Sequence, residues 1–237
     1  MRGSKRDVLL VLLAVASGSA DAWSYLGLGH AFVANMTGNT VLLGIGVFLH
    51  RDLLHPGISL ICYLAGAAFA SFLTRNVREG TGWPGAVTSA LAIESMFLLV
   101  AAVGWWFAGR KAALAASTWD LDLLLGCVAF AIGIQSGAIL QLKIPGIVTT
   151  YITGTWTTLT SNLTGLFTRE RHAPRGEKIA YEERINMQAL IVCAYLLSAI
   201  ASGLLFRYSR LAVGALPAIS VLSVAAYGLA QKSGANV

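Results

Sequence analysis

Apolar residues run along this chain in stretches of about 20, separated by short polar gaps. Eight such segments can be marked, at about 8–28, 31–49, 57–74, 86–108, 123–141, 146–167, 189–206 and 211–229. The gaps include "GLGHA", "HRDLLHPG", "RNVREGTGWPG", "LKIPG" and one long charged stretch from 168 to 188. A helix needs about 20 apolar residues to cross ~30 Å of hydrocarbon. The runs lack the polar alternation of a barrel strand, and an open strand leaves its backbone unsatisfied in lipid, so helices are expected throughout. The pattern predicts an all-α fold, a polytopic transmembrane helix bundle of six to eight spans, as a single transmembrane domain over 1–237. Segments 8–28 and 31–49 each reach about 28 Å or more as helix, and on length eight spans are preferred. The rival has six: segments 1 and 2 make one crossing plus a re-entrant piece, and segments 5 and 6 do the same.

The pattern also repeats. "GSADAWSYLGLGHAFVANMTGNTVLL" from Gly18 lines up with "GIQSGAILQLKIPGIVTTYITGTWTTL" from Gly133, with one extra residue in the second loop. Gly18 meets Gly133, Asp21 meets Ser136, and Thr37-Gly38 meets Thr153-Gly154. "YLAGAAFASFL" from Tyr63 faces "YLLSAIASGLL" from Tyr195. Two homologous repeats are expected, about 8–108 and about 123–229, each of about four hydrophobic segments. An even number of spans per copy gives parallel repeats; three per copy gives inverted ones.

The strings that carry the repeat also carry a resemblance. Gly18-x-x-Asp21-Ala22, Phe32-Val33-Ala34-Asn35-Met36-Thr37-Gly38-Asn39-Thr40, Gly133-Ile134-Gln135 and Thr153-Gly154-Thr155 resemble the YoaK family, bacterial integral membrane proteins with a domain of unknown function. The resemblance covers nearly the whole chain. It implies a location in the bacterial cell inner membrane and implies no reaction. One departure is visible: Gln135 is followed by Ser136, where the family usually has Asn.

Several polar groups inside these runs need a reason to be there. Asp21 in segment 1 and Glu94 in segment 4 each cost roughly 2.5–3.5 kcal/mol to insert. They are candidates for ion or proton coupling; the plainer reading is a hydrogen-bonded carboxyl tying helices together. Their counterparts in the second copy are Ser136 and, roughly, Ser220, so both carboxyls belong to the first half. Asn35 and Asn39 share a helix face beside Gly38. With Thr37, Gln135, Thr153, Gly154 and Thr155 they are candidate substrate-binding residues, two matched polar patches able to donate and accept without charge. Interhelical glue is the competing role. Gly66 and Ala70, Gly133 and Gly137, and Ser198 and Ser202 read as close-packing faces, and Trp105, Trp106 and Tyr25 as interface anchors.

Composition narrows the class. The chain is 56% hydrophobic and 12% charged, against about 25% charged in soluble domains. The net charge of +6 is spread over the gaps rather than clustered, so nucleic acid is not an expected partner. With eight spans, 12 of the 17 Lys and Arg residues fall on the side of the termini and 5 on the other. With six the division is 11 against 5, with Lys143 inside the membrane pair. Either way the positive-inside rule puts both termini in the cytoplasm. The basic start, apolar run and Gly18-Ser19-Ala20 imitate a signal peptide, but cleavage after Ala20 would cut into the repeated unit.

Cys62, Cys127 and Cys193 lie in apolar runs without CxxC and are expected to be small buried packing residues. Neither a metal nor a cofactor is expected. There is no HExxH, GxSxG or Walker loop, and the four His residues fall at segment ends or in gaps. The leading expectation is a small secondary transporter or permease. A non-transporting scaffold or complex subunit comes second, and an intramembrane enzyme third. Membrane lipid is the expected surroundings; a small-molecule or ion substrate and a second copy of the chain are the partners left open.

Overall fold

Helices form wherever the chain is apolar enough to need internal backbone hydrogen bonds. The computed structural model describes residues 2–50, 53–77, 83–111, 118–142, 149, 152–169 and 175–234. The helices, in chain order, are α1 (Arg2–Gly27), α2 (Met36–Leu49), α3 (Leu54–Thr74), α4 (Gly85–Lys111), α5 (Thr118–Leu140), α6 (Ile152–Arg169), α7 (Arg175–Tyr208) and α8 (Ala215–Gly234). A short 3-10 turn, Arg210–Ala212, separates α7 from α8. No strand occurs among the described residues. Prolines sit where helices start: Pro56 and Pro217 occupy first turns and Pro84 precedes α4, positions where a missing N–H costs nothing.

Six of these helices are long and apolar enough to cross a membrane: α1, α3, α4, α5, α7 and α8. The preference for eight spans is therefore corrected to six. Segment 31–49 is not one helix. Its first residues form an irregular turn, and α2 has only 14 residues, about 21 Å. Segment 146–167 is helical only from Ile152 within the described residues. The charged stretch 168–188 is likewise more ordered than a gap, because α7 begins at Arg175 and continues unbroken for 34 residues.

The tightest helix pairs each join one helix from either half of the chain. Helices α3 and α5 run parallel with their backbones in contact. A Cβ on Gly133 would overlap the carbonyl of Tyr63, one on Gly137 that of Ala67, and one on Gly66 that of Phe130. Helices α1 and α7 repeat the arrangement: a Cβ on Gly18 would overlap the Tyr195 carbonyl, and Ser202 Oγ donates to the Ser19 carbonyl at 3.0 Å. Small residues at these positions let the helices approach to packing distance, and dispersion does the rest.

Helices α4 and α8 cross antiparallel between the two pairs. A Cβ on Gly228 would come within 2.8 Å of Thr88 Cγ2, and one on Gly214 within 3.1 Å of Ala102 Cα. Helix α4 also packs on α5, and α8 on α1. The helices thus line up as α3, α5, α4, α8, α1, α7, with α2 against α3 and α6 against α7.

Buried positions are mostly small or aliphatic, with Trp23 the largest fully buried side chain. Apolar side chains such as Phe48, Phe72, Leu123 and Leu197 cover the outside, as expected where the solvent is lipid. Two expectations fail here. Trp105 is buried, its Nε1 donating to the Arg210 carbonyl at 2.9 Å, rather than an anchor at the interface. Cys62 and Cys127, partly buried, do pack against the core, but Cys193 is exposed and fills no packing gap. All three are free thiols.

Candidate functional site

The site is built around the break after α1. Helix α1 ends at Gly27, beside Trp105 of α4 and Phe206 of α7. Gly29 at φ 101° and His30 at φ 57° then reverse the chain. Gly29 lies so close to the His55 ring at the start of α3 that a Cβ would overlap it, so only glycine satisfies both the turn and the contact. From there the chain folds back to the level of Asp21, about 9 Å inside the end of α1 at 1.5 Å per residue. Helix α2 returns towards the same end, where Ile45 and Gly46 share a cavity of about 340 Å³ with Gly29, His30 and Pro56. The segment 28–49 is re-entrant.

Asp21 fixes this turn. Its Oδ1 accepts from the backbone N–H of Val33 at 2.8 Å, of Ala34 at 2.7 Å and of Asn35 at 3.4 Å. Its Oδ2 accepts from the Tyr195 hydroxyl on α7. Asn35 caps α2, its Oδ1 accepting from Gly38 N–H at 3.1 Å. Asn39 is buried and pins the turn from the other side: Oδ1 accepts from Phe32 N–H at 2.9 Å, and Nδ2 donates to the Phe32 carbonyl at 2.6 Å and to Ser59 Oγ at 3.1 Å. The backbone N–H groups of Phe32, Val33, Ala34, Asn35 and Gly38 are thus met by the side chains of Asp21, Asn35 and Asn39, as burial away from water requires.

Beside Asp21 lies a cleft of about 400 Å³, lined by Gly18, Asp21, Ala22, Tyr25 and Leu26 of α1, Phe32 and Asn35 of the turn, Ile152 of α6, and Tyr195 and Ala199 of α7. Tyr25 and Phe32 stack along it with ring centroids 5.0 Å apart and planes 19° apart. Asn35 and Ile152 mark the first turns of α2 and α6, the two helices outside the six spans. Tyr181, in the first third of α7, donates to the Asn162 carbonyl of α6 at 2.7 Å, so α6 runs from the cleft to the end of the bundle opposite the one α2 reaches.

Of the residues singled out from the sequence, the cleft brings together Asp21 and Asn35. Gly38 is packed against Phe32 and Asn39 is spent on the turn. Thr37 and Thr153 are exposed, Gly154 is half-buried, and Thr155 is buried in the first turn of α6. None of these lines the cleft, so the two polar patches do not face each other as matched stripes. Gln135 is buried elsewhere, its Nε2 reaching the Leu13 carbonyl at 3.1 Å, Ser17 Oγ at 2.8 Å and Thr149 Oγ1 at 3.1 Å; it bridges α5 to α1. Glu94 is fully buried in α4, away from the cleft, and neither of its oxygens has a hydrogen-bond partner among the described residues. Among those residues, no group of three or more His, Cys, Asp or Glu side chains could hold a metal.

The sequence reading missed Tyr195, Phe32 and the part Tyr25 plays. Tyr195 had a signal, since Tyr63 and Tyr195 open the two matched strings. Tyr63 does the same on the other side: its hydroxyl donates to Ser136 Oγ at 2.7 Å, and Ser136 is the residue aligned with Asp21.

Comparison with known proteins bears on the whole chain. Residues 9–227 match the family described as "Protein of unknown function (DUF1275)". The chain belongs to this family. It is also similar to the UPF0700 transmembrane protein YoaK of Bacillus subtilis (strain 168), with 33% identity over 198 residues, 82% of this chain and 81% of that protein. No solved structure matches it. The family membership and the six candidate spans agree on a polytopic membrane protein; they assign no reaction or cargo.

Proposed function

We propose that this protein is a small secondary transporter built from two inverted repeats, with its cargo site in the cleft between α1 and α7. The observation that carries this reading is the meeting, at one cleft, of the two helices that lie outside the six spans. The first turns of α2 and α6 come to it from opposite ends of the bundle, beside the carboxylate of Asp21. Interrupted helices whose N-terminal ends converge near the middle of the bilayer are a recurring way for transporters to hold a solute away from both surfaces.

Three spans per half make the repeats inverted, and the packing supports this. The Gly18–Tyr195 contact corresponds to Gly133–Tyr63, and Thr88–Gly228 corresponds to Ala102–Gly214, by the same displacement that takes Glu94 to Ser220. A two-fold axis in the membrane plane, through the antiparallel α4 and α8, accounts for all of these. The basic residues, 11 against 5 for six spans, favour termini in the cytoplasm of a bacterial cell, with the protein in its inner membrane.

The glycine contacts constrain the motion. Separating one repeat from the other would break both α1–α7 and α3–α5. The moving bodies are instead the two cross-repeat pairs, which slide past α4 and α8. The test is uptake into proteoliposomes by the purified protein and by Asp21→Asn. Asparagine keeps an acceptor for the turn, so folding should persist while uptake falls at least about tenfold, the loss expected when one charge-assisted contact goes. Unchanged uptake by this variant defeats the reading.

The second reading, a scaffold or subunit of a membrane complex, has one observation in its favour: every oxygen of Asp21 already has an intramolecular donor, as in a purely structural capping group. A scaffold predicts that Asp21→Asn alters thermal unfolding or assembly and that no solute gradient is ever dissipated.

A further inference from the structure

We infer that the cleft binds a small organic ammonium ion, with its charged nitrogen on Asp21 Oδ2 beside Tyr195 and its apolar body against Tyr25 and Phe32. This rests on the cleft being a cargo site, as proposed above, and adds the chemical class of the cargo.

Charge is the first argument. Asp21 is the one side chain with a formal charge among the described residues lining the cleft. An anion would meet that carboxylate with no compensating cation beside it. The backbone N–H groups of Val33, Ala34 and Asn35, which could otherwise receive an anion at a helix start, already donate to Oδ1.

Free acceptors are the second. A carboxylate offers about four lone-pair positions. Oδ1 meets three N–H groups, while Oδ2 meets only the Tyr195 hydroxyl. One lone pair of Oδ2 and the lone pairs of the Tyr195 oxygen remain, side by side, for an N–H donor. Asn35 Oδ1 has a further lone pair beyond its bond to Gly38.

The rest of the lining decides between a metal ion and an organic cation. A bare metal ion gives up its hydration shell only for a comparable shell of oxygens, six or so for the hard divalent ions. This cleft offers side-chain oxygens from Asp21, Asn35, Tyr25 and Tyr195 among Gly18, Ala22, Leu26, Phe32, Ile152 and Ala199. The apolar surface and the stacked Tyr25–Phe32 pair suit an alkyl or aryl body, and aromatic faces attract an ammonium group. The cleft's volume is in the range that holds small organic ligands.

The experiment uses the full chain in detergent and 2-phenylethylammonium as probe, with 2-phenylethanol and phenylacetate as its neutral and anionic counterparts. Binding is read by isothermal titration calorimetry at neutral pH. The ammonium ion should bind saturably, the alcohol about tenfold more weakly or worse, as expected for loss of one charge-assisted hydrogen bond, and phenylacetate not at all. Asp21→Asn should remove the preference for the charged probe. If that variant does not fold, Tyr25→Leu with Phe32→Leu gives an independent answer, weakening the ammonium probe about threefold to tenfold through the lost aromatic faces. Equal binding of the three probes, a preference for phenylacetate, absence of saturable ammonium binding, or full affinity in the double leucine variant would each overturn the inference. Proteoliposomes separate it from the reading beneath it. Ammonium binding without flux leaves the cation site standing and removes the transporter; flux of an anionic solute without ammonium binding does the reverse.

Discussion

Tyr195 with Asp21 and Tyr63 with Ser136 occupy corresponding places in the two halves of this protein, and they do different work. In each, a tyrosine on a long span reaches across to the residue three positions after a glycine that packs on that tyrosine's own carbonyl. On one side the acceptor is a serine hydroxyl, and the bond joins α3 to α5. On the other it is a carboxylate, which also gathers three backbone N–H groups and holds a turn deep inside the bundle. A tyrosine thus links two helices in both places, and at Asp21 its acceptor is also the organising centre of a cleft.

The largest effects should come from what the two places share. Gly18→Val and Gly133→Val each drive a side chain into a backbone carbonyl, and each should cost about 3 kcal/mol or more, read as loss of the folded peak in size-exclusion and a fall in unfolding temperature. Equal damage supports the correspondence; tolerance of either breaks it. Next comes the difference. Asp21→Ala strands three N–H groups and a hydroxyl and should cost about 3 kcal/mol, whereas Ser136→Ala should cost about 1 kcal/mol; denaturant titration in detergent would show whether the two fall together. Removing the hydroxyls probes the same asymmetry more gently. Tyr195→Phe should cost about 2 kcal/mol, because its bond is to a carboxylate, and Tyr63→Phe about 0.6 kcal/mol. The smallest effect belongs to Thr37→Ala and Thr153→Ala, both at exposed positions, which should shift stability by less than ~0.5 kcal/mol and leave probe binding unchanged. A binding defect in either would restore the matched Thr-Gly patches as a site.

The class of protein was legible because lipid imposes it: backbone groups in hydrocarbon need helices, and helices there need long apolar runs. The close-packing glycines of α3 and α5 were legible as well, since small residues four apart in an apolar run mark a face where helices approach. The re-entrant turn was not. Residues 31–49 are apolar enough and long enough for a span, and what stops them is a set of hydrogen bonds that Asp21 accepts from backbone N–H groups 12 to 14 positions away, which no local pattern encodes. Composition also misled at Thr37 and Thr153. A polar residue in an apolar run reads as part of a site, but the helix face it occupies depends on where α2 and α6 begin, and that is set by the turns before them. The helical start of α7 was hidden for the opposite reason: charged residues signal a gap, yet outside the membrane they are good helix formers.

The two parallel pairs differ in one more respect, the order in which a ribosome supplies them. Tyr63 and Ser136 are 73 residues apart, so α3 can dock on α5 while the second half is still being made. Asp21 and Tyr195 are 174 apart. At about 5–20 residues per second, α1 and its carboxyl wait roughly 10–35 s for α7. During synthesis the nascent chain therefore carries an acidic group still without its tyrosine partner and an unfilled glycine groove on its first helix. The insertion machinery, or whichever helix α1 leans on meanwhile, must shelter both from lipid until the seventh helix arrives.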